Sequence, residues 1–300
     1  MKIASTLLIG FTAALLPLTA CVAELESLAN NDEALIWAGC GVTKKAFMKE
    51  LAAAYAKKTG IHFKLEGGGA TRGIRDVQKN TVNIGGACRA RIEEHPNERY
   101  LEQIPVAWDA IVFIVSKDNP INDITLDQVR GIYTGKITNW RQLGGNDEPI
   151  DLYVRSGTLS GVGQALRELV FNDYNKVFTS RAHFVASSGP AEKAVESSTK
   201  AFTATGVSSA KRRDVKILSL AGVAPTVENI TQGNYFLFRP LYLITRIGEN
   251  NPKIVNFVKF TTGHEGREII RNAGSIPYAD AMNLLYSHYL KYVGAKSLSN

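Results

Sequence analysis

The sequence is poor in the residues that build catalytic and metal centres. It has only three cysteines and five histidines among 300 residues, and it contains no CxxC pair, no HExxH helix and no GxSxG turn. The first two patterns are typical of zinc sites, and the third carries the nucleophilic serine of α/β-hydrolases. We therefore expect a protein that is not an enzyme and that holds neither a metal nor a cofactor.

Strong charge patterning is also missing. The net charge is +7, but the lysines and arginines are scattered, and no basic strip interleaved with aromatic residues indicates nucleic-acid binding. Lys211-Arg212-Arg213 is the one tight basic cluster, and we interpret it as part of a solvated loop. A basic balance favours the approach of small anions by diffusion, without identifying one.

Apolar runs long enough to cross a membrane are absent after the N-terminus. Lys2 precedes an apolar stretch from Ile3 to Leu16, which is too short for a span but typical of a secretory signal. Leu18-Thr19-Ala20-Cys21 then matches a bacterial lipobox. This pattern predicts a lipoprotein signal peptide over 1–20, lipidation of Cys21, and a periplasmic or cell-envelope protein that reaches the membrane only through its lipid anchor. An ordinary signal peptide cut slightly later is the alternative.

One pattern occurs three times in the sequence: an apolar, strand-like run is followed by a glycine-rich turn and then by a helical pattern. The turns Gly39–Thr43, Gly67–Gly73 and Ser156–Gly161 follow the apolar runs 34–38, 61–65 and 150–155. The first turn of a helix has unpaired N–H groups and a partial positive charge, so such turns favour a bound oxyanion. Ordinary strand-to-helix connections are the alternative reading of each turn.

The order of elements predicts two α/β lobes. About 280 residues remain after the signal, and strand and helix signals alternate, which favours mostly parallel sheets. Two long extended runs, Val106–Ser116 and Tyr235–Thr245, enclose a second α/β unit, as if one lobe were left and re-entered. Trp37, Trp108 and Trp140 are predicted to be buried in packing rather than to contact a ligand.

Several segments resemble the periplasmic phosphate-binding proteins of ABC importers, the PstS-like group of type II solute-binding proteins. Gly39–Thr43 resembles that family's GAGAT turn, and Gly67–Gly73 resembles its second turn. The other matching segments are 82–85 (VDIG), 124–140 (LT…GKITNW), Arg155 with Ser160-Gly161 (R…SGT), and 225–230 with 233–235 and 239–241 (the returning crossover). The resemblance runs from Leu35 to Tyr278.

The resemblance implies a type II periplasmic-binding-protein clamshell, an α/β fold with two lobes joined by two crossover strands. Lobe 1 is expected over 34–115 and 236–284, lobe 2 over 116–235, and a C-terminal helical tail over 285–300. The implied function is that of a monomeric binding protein that captures a small oxyanion, foremost inorganic phosphate, and delivers it to an ABC importer permease. A sensory or adhesion lipoprotein with this fold, binding another anion without transport, is the alternative.

The chain departs from the family where the anion is expected. Ala70 replaces a usual serine, with Thr71 one place on, and Cys88 replaces the aspartate that accepts the proton of the ligand. Arg89, which follows, supplies charge or lies on the surface. The resemblance therefore implies a ligand site made of the following residues: Gly41, Thr43, Lys44, Ala70, Thr71, Cys88, Arg89, Arg155, Ser160 and Gly161. Loss of the proton acceptor predicts weaker discrimination against sulfate.

Cys40 and Cys88 form an even pair once Cys21 is assigned to the processed terminus. Each follows an apolar, strand-like run and lies beside glycine, and the carboxyl ends of parallel strands meet at one edge of a sheet. A disulfide between them and two buried free thiols are both compatible with the sequence, since a sequence supplies no Cα separation.

Overall fold

The computed structural model describes residues 34–92 and 94–287. The predicted signal peptide, Cys21 and most of the predicted C-terminal tail lie outside these residues. Within the described ranges, no helix combines the length and the apolar character that crossing a bilayer requires.

Twelve strands are present in the described residues. In chain order they are β1 Leu35–Gly39, β2 Phe63–Glu66, β3 Ile84–Ala87, β4 Leu101–Val115, β5 Asp123–Ile124, β6 Asp151–Arg155, β7 His183–Val185, β8 Ala201–Gly206, β9 Lys216–Ile217, β10 Ser219–Leu220, β11 Phe238–Arg246 and β12 Ile276–Pro277. Ten of them join into one sheet with the order β2-β1-β3-β11-β4-β8-β6-β7, in which β12 and β9 also pair with β4, while β5 and β10 pair separately.

Two long strands connect two lobes. β4 pairs antiparallel with β11 from Leu101 to Ala110, and its later residues pair antiparallel with β8. On one side, β11 continues into the parallel set β3-β1-β2, which forms the first lobe. On the other side, β8 continues into the parallel set β6-β7, which forms the second lobe. The sheets are parallel within each lobe and antiparallel where the lobes join.

Helices cover the sheets. Helix α1 begins with Gly41–Thr43, passes through a π-helical segment Lys44–Met48 and ends with Lys49–Thr59. Then follow α2 Ala70–Gln78, α3 Leu126–Thr134, α4 Gly161–Leu166 with a π-helical continuation Arg167–Phe171, α5 Ser188–Ser197, α6 Val207–Ala210, α7 Val227–Thr231, α8 Pro252–Thr262 and α9 His264–Asn272. Short 3-10 turns occur at Pro96–Glu98, Trp140–Leu143 and Tyr278–Ala281.

Local sequence explains most of these boundaries. The apolar residues that share one face of α1, namely Phe47, Met48, Leu51, Ala52 and Tyr55, are all buried. Thr125 caps α3 through a capping box with Gln128, and Gly135 ends that helix in the left-handed region. The predicted burial of the three tryptophans is confirmed, since Trp37, Trp108 and Trp140 are each at most 1% exposed.

The strand predictions were correct in place and inexact in extent. β1 and β6 lie where the apolar runs predicted them, within about one residue. The long strand β4 begins at Leu101, five residues before the predicted start, because its first part pairs with β11 as far as Arg246. Helix α2 begins at Ala70, inside the stretch that was predicted to be a turn.

Candidate functional site

A cleft of about 230 Å³ lies where the strand ends of the two lobes face each other. The first lobe contributes Cys40–Val42, Gly67–Ala70 and Cys88. The second lobe contributes Arg155, Gly161, Val162 and Ser187–Gly189. Five of the predicted site residues therefore line this one cleft: Gly41, Ala70, Cys88, Arg155 and Gly161.

Four helices start at the cleft. α1 begins at Gly41, α2 at Ala70, α4 at Gly161 and α5 at Ser188, and each of these first residues lines the cavity. The N–H groups of a first helical turn have no partner within the helix. Their convergence makes the cleft a concentration of backbone donors with positive partial charge.

Two glycines, Gly69 and Gly73, allow the backbone conformation and the close packing at the start of α2. Gly69 precedes α2 with φ of 94°, a region that side-chain-bearing residues avoid. A Cβ at Gly73 would lie 2.7 Å from the carbonyl oxygens of Ala38 and Gly86, so only glycine lets α2 pack so closely on β1 and β3. The packing brings the N-terminus of α2 beside that of α1.

Arg155 is the cation of the cleft that is not neutralised. It ends β6, and its Nη1 donates to the carbonyl of Val185 at 3.2 Å. A Cβ on Gly69 would lie 3.4 Å from its Nη2, so the guanidinium reaches across to the first lobe. Within residues 34–92 and 94–287 no carboxylate pairs with it. Burial lowers the pKa of Arg155, which marks a charge short of compensation.

A second, adjoining cavity of about 390 Å³ shares Arg155 and Gly68–Ala70 with the cleft and is lined also by Thr71 and Ser160. Ser160 is 8% exposed, and its hydroxyl has no hydrogen-bond partner among the described residues. Thr71 Oγ1 donates to the carbonyl of Leu159 at 2.7 Å, which joins the lobes. An unpaired buried hydroxyl is costly, and Ser160 thus keeps an unused donor and acceptor at the wall of this cavity.

A buried carboxylate closes the other side of the cleft. Glu192 of α5 is fully buried and accepts from Lys45 Nζ at 2.8 Å, Arg213 Nε at 2.9 Å and Thr205 Oγ1 at 2.7 Å, and also from Ser209 Oγ. Burial raises the pKa of Glu192, but the hydrogen bonds and charge of Lys45 more than offset this, so the pKa lies below its usual range. The Lys45–Glu192 pair spans the two lobes.

Arg239 lies beneath the cleft and links the lobes through their backbones. It belongs to β11 and is almost fully buried. Its Nη1 donates to the carbonyls of Cys88 and Gly161, each at 2.9 Å, and its Nη2 lies 3.5 Å from Asp109 Oδ2. One side chain thus binds the residue after β3 in the first lobe and the first residue of α4 in the second.

Two residues predicted to contact the anion have other partners. Thr43 is fully buried, and its Oγ1 donates to the carbonyl of Cys40 at 2.9 Å. Lys44 points to the carbonyl of Leu65, with Nζ at 3.0 Å. The reason is helical geometry: α1 starts at Gly41, so Thr43 and Lys44 lie inside its first turns, and the neighbouring Lys45 is the lysine that lines the cleft.

Arg89 takes neither of the roles foreseen for it. It is 4% exposed, and its Nη1 and Nη2 bind the two oxygens of Glu98 at 2.8 and 2.7 Å. Burial raises the pKa of Glu98, but the hydrogen bonds from Arg89 and the N–H of Ile92, together with the charges of Arg89 and Arg75, leave the pKa lowered. Arg89 also donates to Leu159 and Thr71. Arg89 and Glu98 therefore form a buried structural ion pair behind the cleft.

Of the two alternatives for the cysteines, the structure has the free thiols. Cys40 and Cys88 are both buried, unbonded and in the lining of the cleft. Burial raises the pKa of Cys40, but hydrogen bonds from Cys88 and Thr43 together with the charge of Arg239 bring it down to about 7. The hydrogen bond with Cys40 and burial raise the pKa of Cys88 well above its usual value.

Sequence reasoning missed part of the lining. Lys45, Glu192, Ser209 and Arg213 were not predicted, and Arg213 had been interpreted as part of a solvated loop. Ser187-Ser188-Gly189 is a small polar turn at a helix start, the same signal as the three predicted turns, and could have been found. The described residues contain no group of three or more histidine, cysteine or acidic side chains placed to hold a metal ion.

A model of the PBP superfamily domain matches residues 31–265. The chain belongs to the PBP superfamily. It is 25% identical over 252 residues to the phosphate-binding protein PstS of Borreliella burgdorferi, covering 81% of this chain and 90% of that one. It is 27% identical over 223 residues to the PstS protein of Bacillus subtilis, covering 72% and 71%.

Two solved structures of proteins described as components of phosphate transport are also similar to this chain. A substrate-binding protein assigned to phosphate ABC transport, from Clostridium perfringens and solved with bound phosphate, is similar with a TM-score of 0.73 and 27% identity over 82% of this chain and 99% of that one. An ABC-type phosphate transport receptor from Vibrio cholerae gives a TM-score of 0.62 and 26% identity, covering 82% and 100%. The family resemblance and the predicted type II clamshell are confirmed.

Proposed function

We propose that this protein captures a small oxyanion, foremost inorganic phosphate, between its two lobes and delivers it to an ABC importer. The observation that carries the proposal is Arg155, a half-buried guanidinium without a carboxylate partner in the described residues, facing the N-termini of α1 and α2 across the cleft. Charge-assisted hydrogen bonds from arginine to phosphate are among the strongest that proteins make.

The charge of the cleft suits an anion. Its ionisable lining includes three basic residues, Lys45, Arg155 and Arg213, against the single carboxylate of Glu192. That carboxylate is occupied on both oxygens by Lys45, Arg213, Thr205 and Ser209. A bound anion therefore meets a net positive site with converging N–H donors. The carboxylate of Glu192 repels it little, because both oxygens already accept hydrogen bonds from Lys45, Arg213, Thr205 and Ser209.

Contacts between the lobes provide the mechanism of capture. Lys45–Glu192 at 2.8 Å, Arg212–Glu50 at 2.7 Å and Thr71–Leu159 at 2.7 Å already join the lobes around the cleft. An anion that is bound by donors from both lobes adds to these contacts only when the lobes are together. It therefore shifts the population toward the closed state by its differential affinity.

Binding rather than catalysis is the role we propose. The relatives named above are described as binding, transport or receptor proteins. The four helix N-termini and Arg155 provide donors that hold an anion. We further propose that the protein acts as a monomer outside the cytoplasm and hands its ligand to a permease.

The anion panel is the experiment that tests this function. Calorimetric titration of the mature protein with phosphate, sulfate, arsenate and molybdate should show phosphate binding at a single site. Because Cys88 stands where the family has a proton acceptor, sulfate should also bind measurably. No heat with any of the four anions, in a protein shown to be folded by its thermal transition, would overturn the proposal. Strong phosphate binding with no sulfate binding would overturn the selectivity argument alone.

Lipid anchoring is proposed separately, on the lipobox Leu18-Thr19-Ala20-Cys21. Mass spectrometry of the native N-terminus should find acyl chains on Cys21. An unmodified N-terminus at Glu24 would contradict the anchor and leave the anion site unaffected.

A further inference from the structure

Cys40 and Cys88 lie at the ends of neighbouring parallel strands. β1 and β3 are in register at Gly39 and Gly86, and Cys40 N–H donates to the carbonyl of Gly86 at 3.1 Å. Neighbouring strands are about 4.8 Å apart, and disulfides form between Cα atoms about 4.4 to 6.8 Å apart. Cys40 lies one residue after Gly39 and Cys88 two residues after Gly86, so the two cysteines are offset by one residue. The hydrogen bond between their thiols brings the two sulfur atoms together.

The two thiols are chemically unequal. Cys40 caps α1, where its Sγ accepts the N–H of Thr43 at 3.4 Å and contacts Thr43 Oγ1 at 3.2 Å. Burial raises the pKa of Cys40, but the hydrogen bonds from Cys88 and from the N–H of Thr43, with the charge of Arg239, bring it to about 7, whereas the pKa of Cys88 is raised. A helix N-terminus that stabilises a thiolate makes the cysteine a nucleophile.

Access to the thiols depends on the second lobe. Cys40 is 5% and Cys88 1% exposed. A Cβ on Gly161 would overlap Cys88 Sγ, so the start of α4 lies directly on the thiol. Arg239 fastens this contact by binding the carbonyls of both Cys88 and Gly161. When the lobes separate, the cover over the thiols is removed.

We propose that Cys40 and Cys88 form a redox-active dithiol that reacts with a small disulfide such as oxidised glutathione, and that a bound anion protects it by holding the lobes together. The protection, though not the dithiol chemistry, rests on the proposed function. The Cys40 thiolate attacks one sulfur of the oxidant, forming a mixed disulfide and releasing one glutathione thiolate. Cys88 gives up its proton and attacks Cys40 Sγ, which releases the second glutathione. The protein loses two thiol protons and two electrons, and one glutathione disulfide becomes two thiols.

Oxidation of the reduced, folded protein tests both parts. The protein is incubated with oxidised glutathione, with and without saturating phosphate, then quenched in acid and alkylated. Peptide-level mass spectrometry separates Cys40 and Cys88 from Cys21. We expect the Cys40 and Cys88 peptides to become linked together, and phosphate to slow the linkage by about tenfold or more, as a shift toward a closed state requires.

Single variants distinguish the two roles. Cys88→Ser should retain a mixed disulfide of glutathione on Cys40. Cys40→Ser should leave Cys88 largely free over the same time, because its thiol is a poorer nucleophile. Equal reaction of the two variants would contradict the assigned roles.

Two results would overturn the proposal. One is full alkylation of both cysteines after the ligand-free protein has been exposed to oxidant. The other is an oxidation rate that phosphate does not change, although calorimetry on the same reduced sample shows that phosphate binds. If calorimetry shows no phosphate binding, the proposed function and the protection fall together, and the ligand-free reaction still decides the dithiol.

Discussion

Arg89 and Arg155 both lie close to the carboxyl end of a strand near the cleft, but they have different partners. Arg89 follows β3 in the first lobe, and both of its terminal nitrogens bind Glu98, at 2.7 and 2.8 Å. Arg155 ends β6 in the second lobe, donates to one backbone carbonyl and has no carboxylate partner among the described residues. Position at a strand end therefore does not make an arginine a ligand for an anion. The absence of a neighbouring carboxylate decides which arginine has charge to offer.

The largest effect expected from this contrast is on stability. Arg89→Met removes both short bonds from the guanidinium to the buried Glu98 and leaves this carboxylate only Arg75 Nε at 3.3 Å and the N–H of Ile92 at 3.0 Å, so the free energy of unfolding should fall by about 3 kcal/mol, measured by urea denaturation. Arg89→Met combined with Glu98→Met removes both charges and should recover a large part of the loss. A single variant as stable as the wild type would contradict the structural role.

Arg155→Ala should weaken phosphate binding and leave the stability of the protein almost unchanged. It removes the uncompensated guanidinium, so phosphate affinity should fall by about 2 kcal/mol, at least roughly tenfold, measured by calorimetry. Its melting temperature should change little, because no buried carboxylate loses a partner. Arg141→Ala, an exposed arginine of the second lobe paired with Asp147, is the matched control and should leave affinity unchanged. If Arg155→Ala lowered the stability and left the phosphate affinity unchanged, Arg155 would be a structural residue like Arg89.

Thr43 is a hydroxyl-bearing residue that, like Arg89, has a partner inside the protein. Because its Oγ1 donates to the carbonyl of Cys40 inside the protein, Thr43→Ala should cost about 1 kcal/mol of unfolding free energy. Thr262→Ala, which removes an exposed helix hydroxyl, should cost less and serves as the control in the same urea titration. An effect of Thr43→Ala on phosphate affinity alone would restore the role that the sequence had predicted.

The smallest expected effect concerns the charge of Cys40, which lines the same cleft as Arg155. The pKa of Cys40 is lowered to about 7, so this side chain becomes a thiolate as the pH rises past neutrality. A thiolate in the cleft, beside Cys88, Arg155 and Arg239, opposes an incoming anion. Sulfate, which keeps its charge in this range, should therefore bind several-fold more weakly at about pH 8 than at about pH 6 in the reduced protein. Cys40→Ala should bind sulfate equally at both values, and a pH dependence that persists in it would contradict this assignment.

Features encoded locally could be predicted from the sequence. The apolar run before Gly39 and the helical face of Phe47, Leu51 and Tyr55 gave β1 and α1. Glycine turns marked three of the four helix starts that meet at the cleft. Arg155 could be singled out because it ends a strand-like run and precedes such a turn.

Features that depend on distant partners could not be predicted. Lys45 and Glu192 are 147 residues apart in the chain and meet only because two lobes close on each other. Glu98, which neutralises Arg89, lies nine residues on, at the end of the short 3-10 turn Pro96–Glu98, and no sequence pattern links the two residues. The hydrogen bond of Thr43 to the carbonyl of Cys40 could not be predicted, because the register of a helix start within a glycine turn cannot be read from composition.

A crystal structure of the protein with phosphate tests the central claim most directly. The account predicts one anion in the cleft, with Arg155 Nη atoms and the backbone N–H groups at the starts of α1 and α4 within hydrogen-bond distance of its oxygens, and with Arg89 still bound to Glu98. An anion held by one lobe alone, or bound away from Arg155, would contradict it.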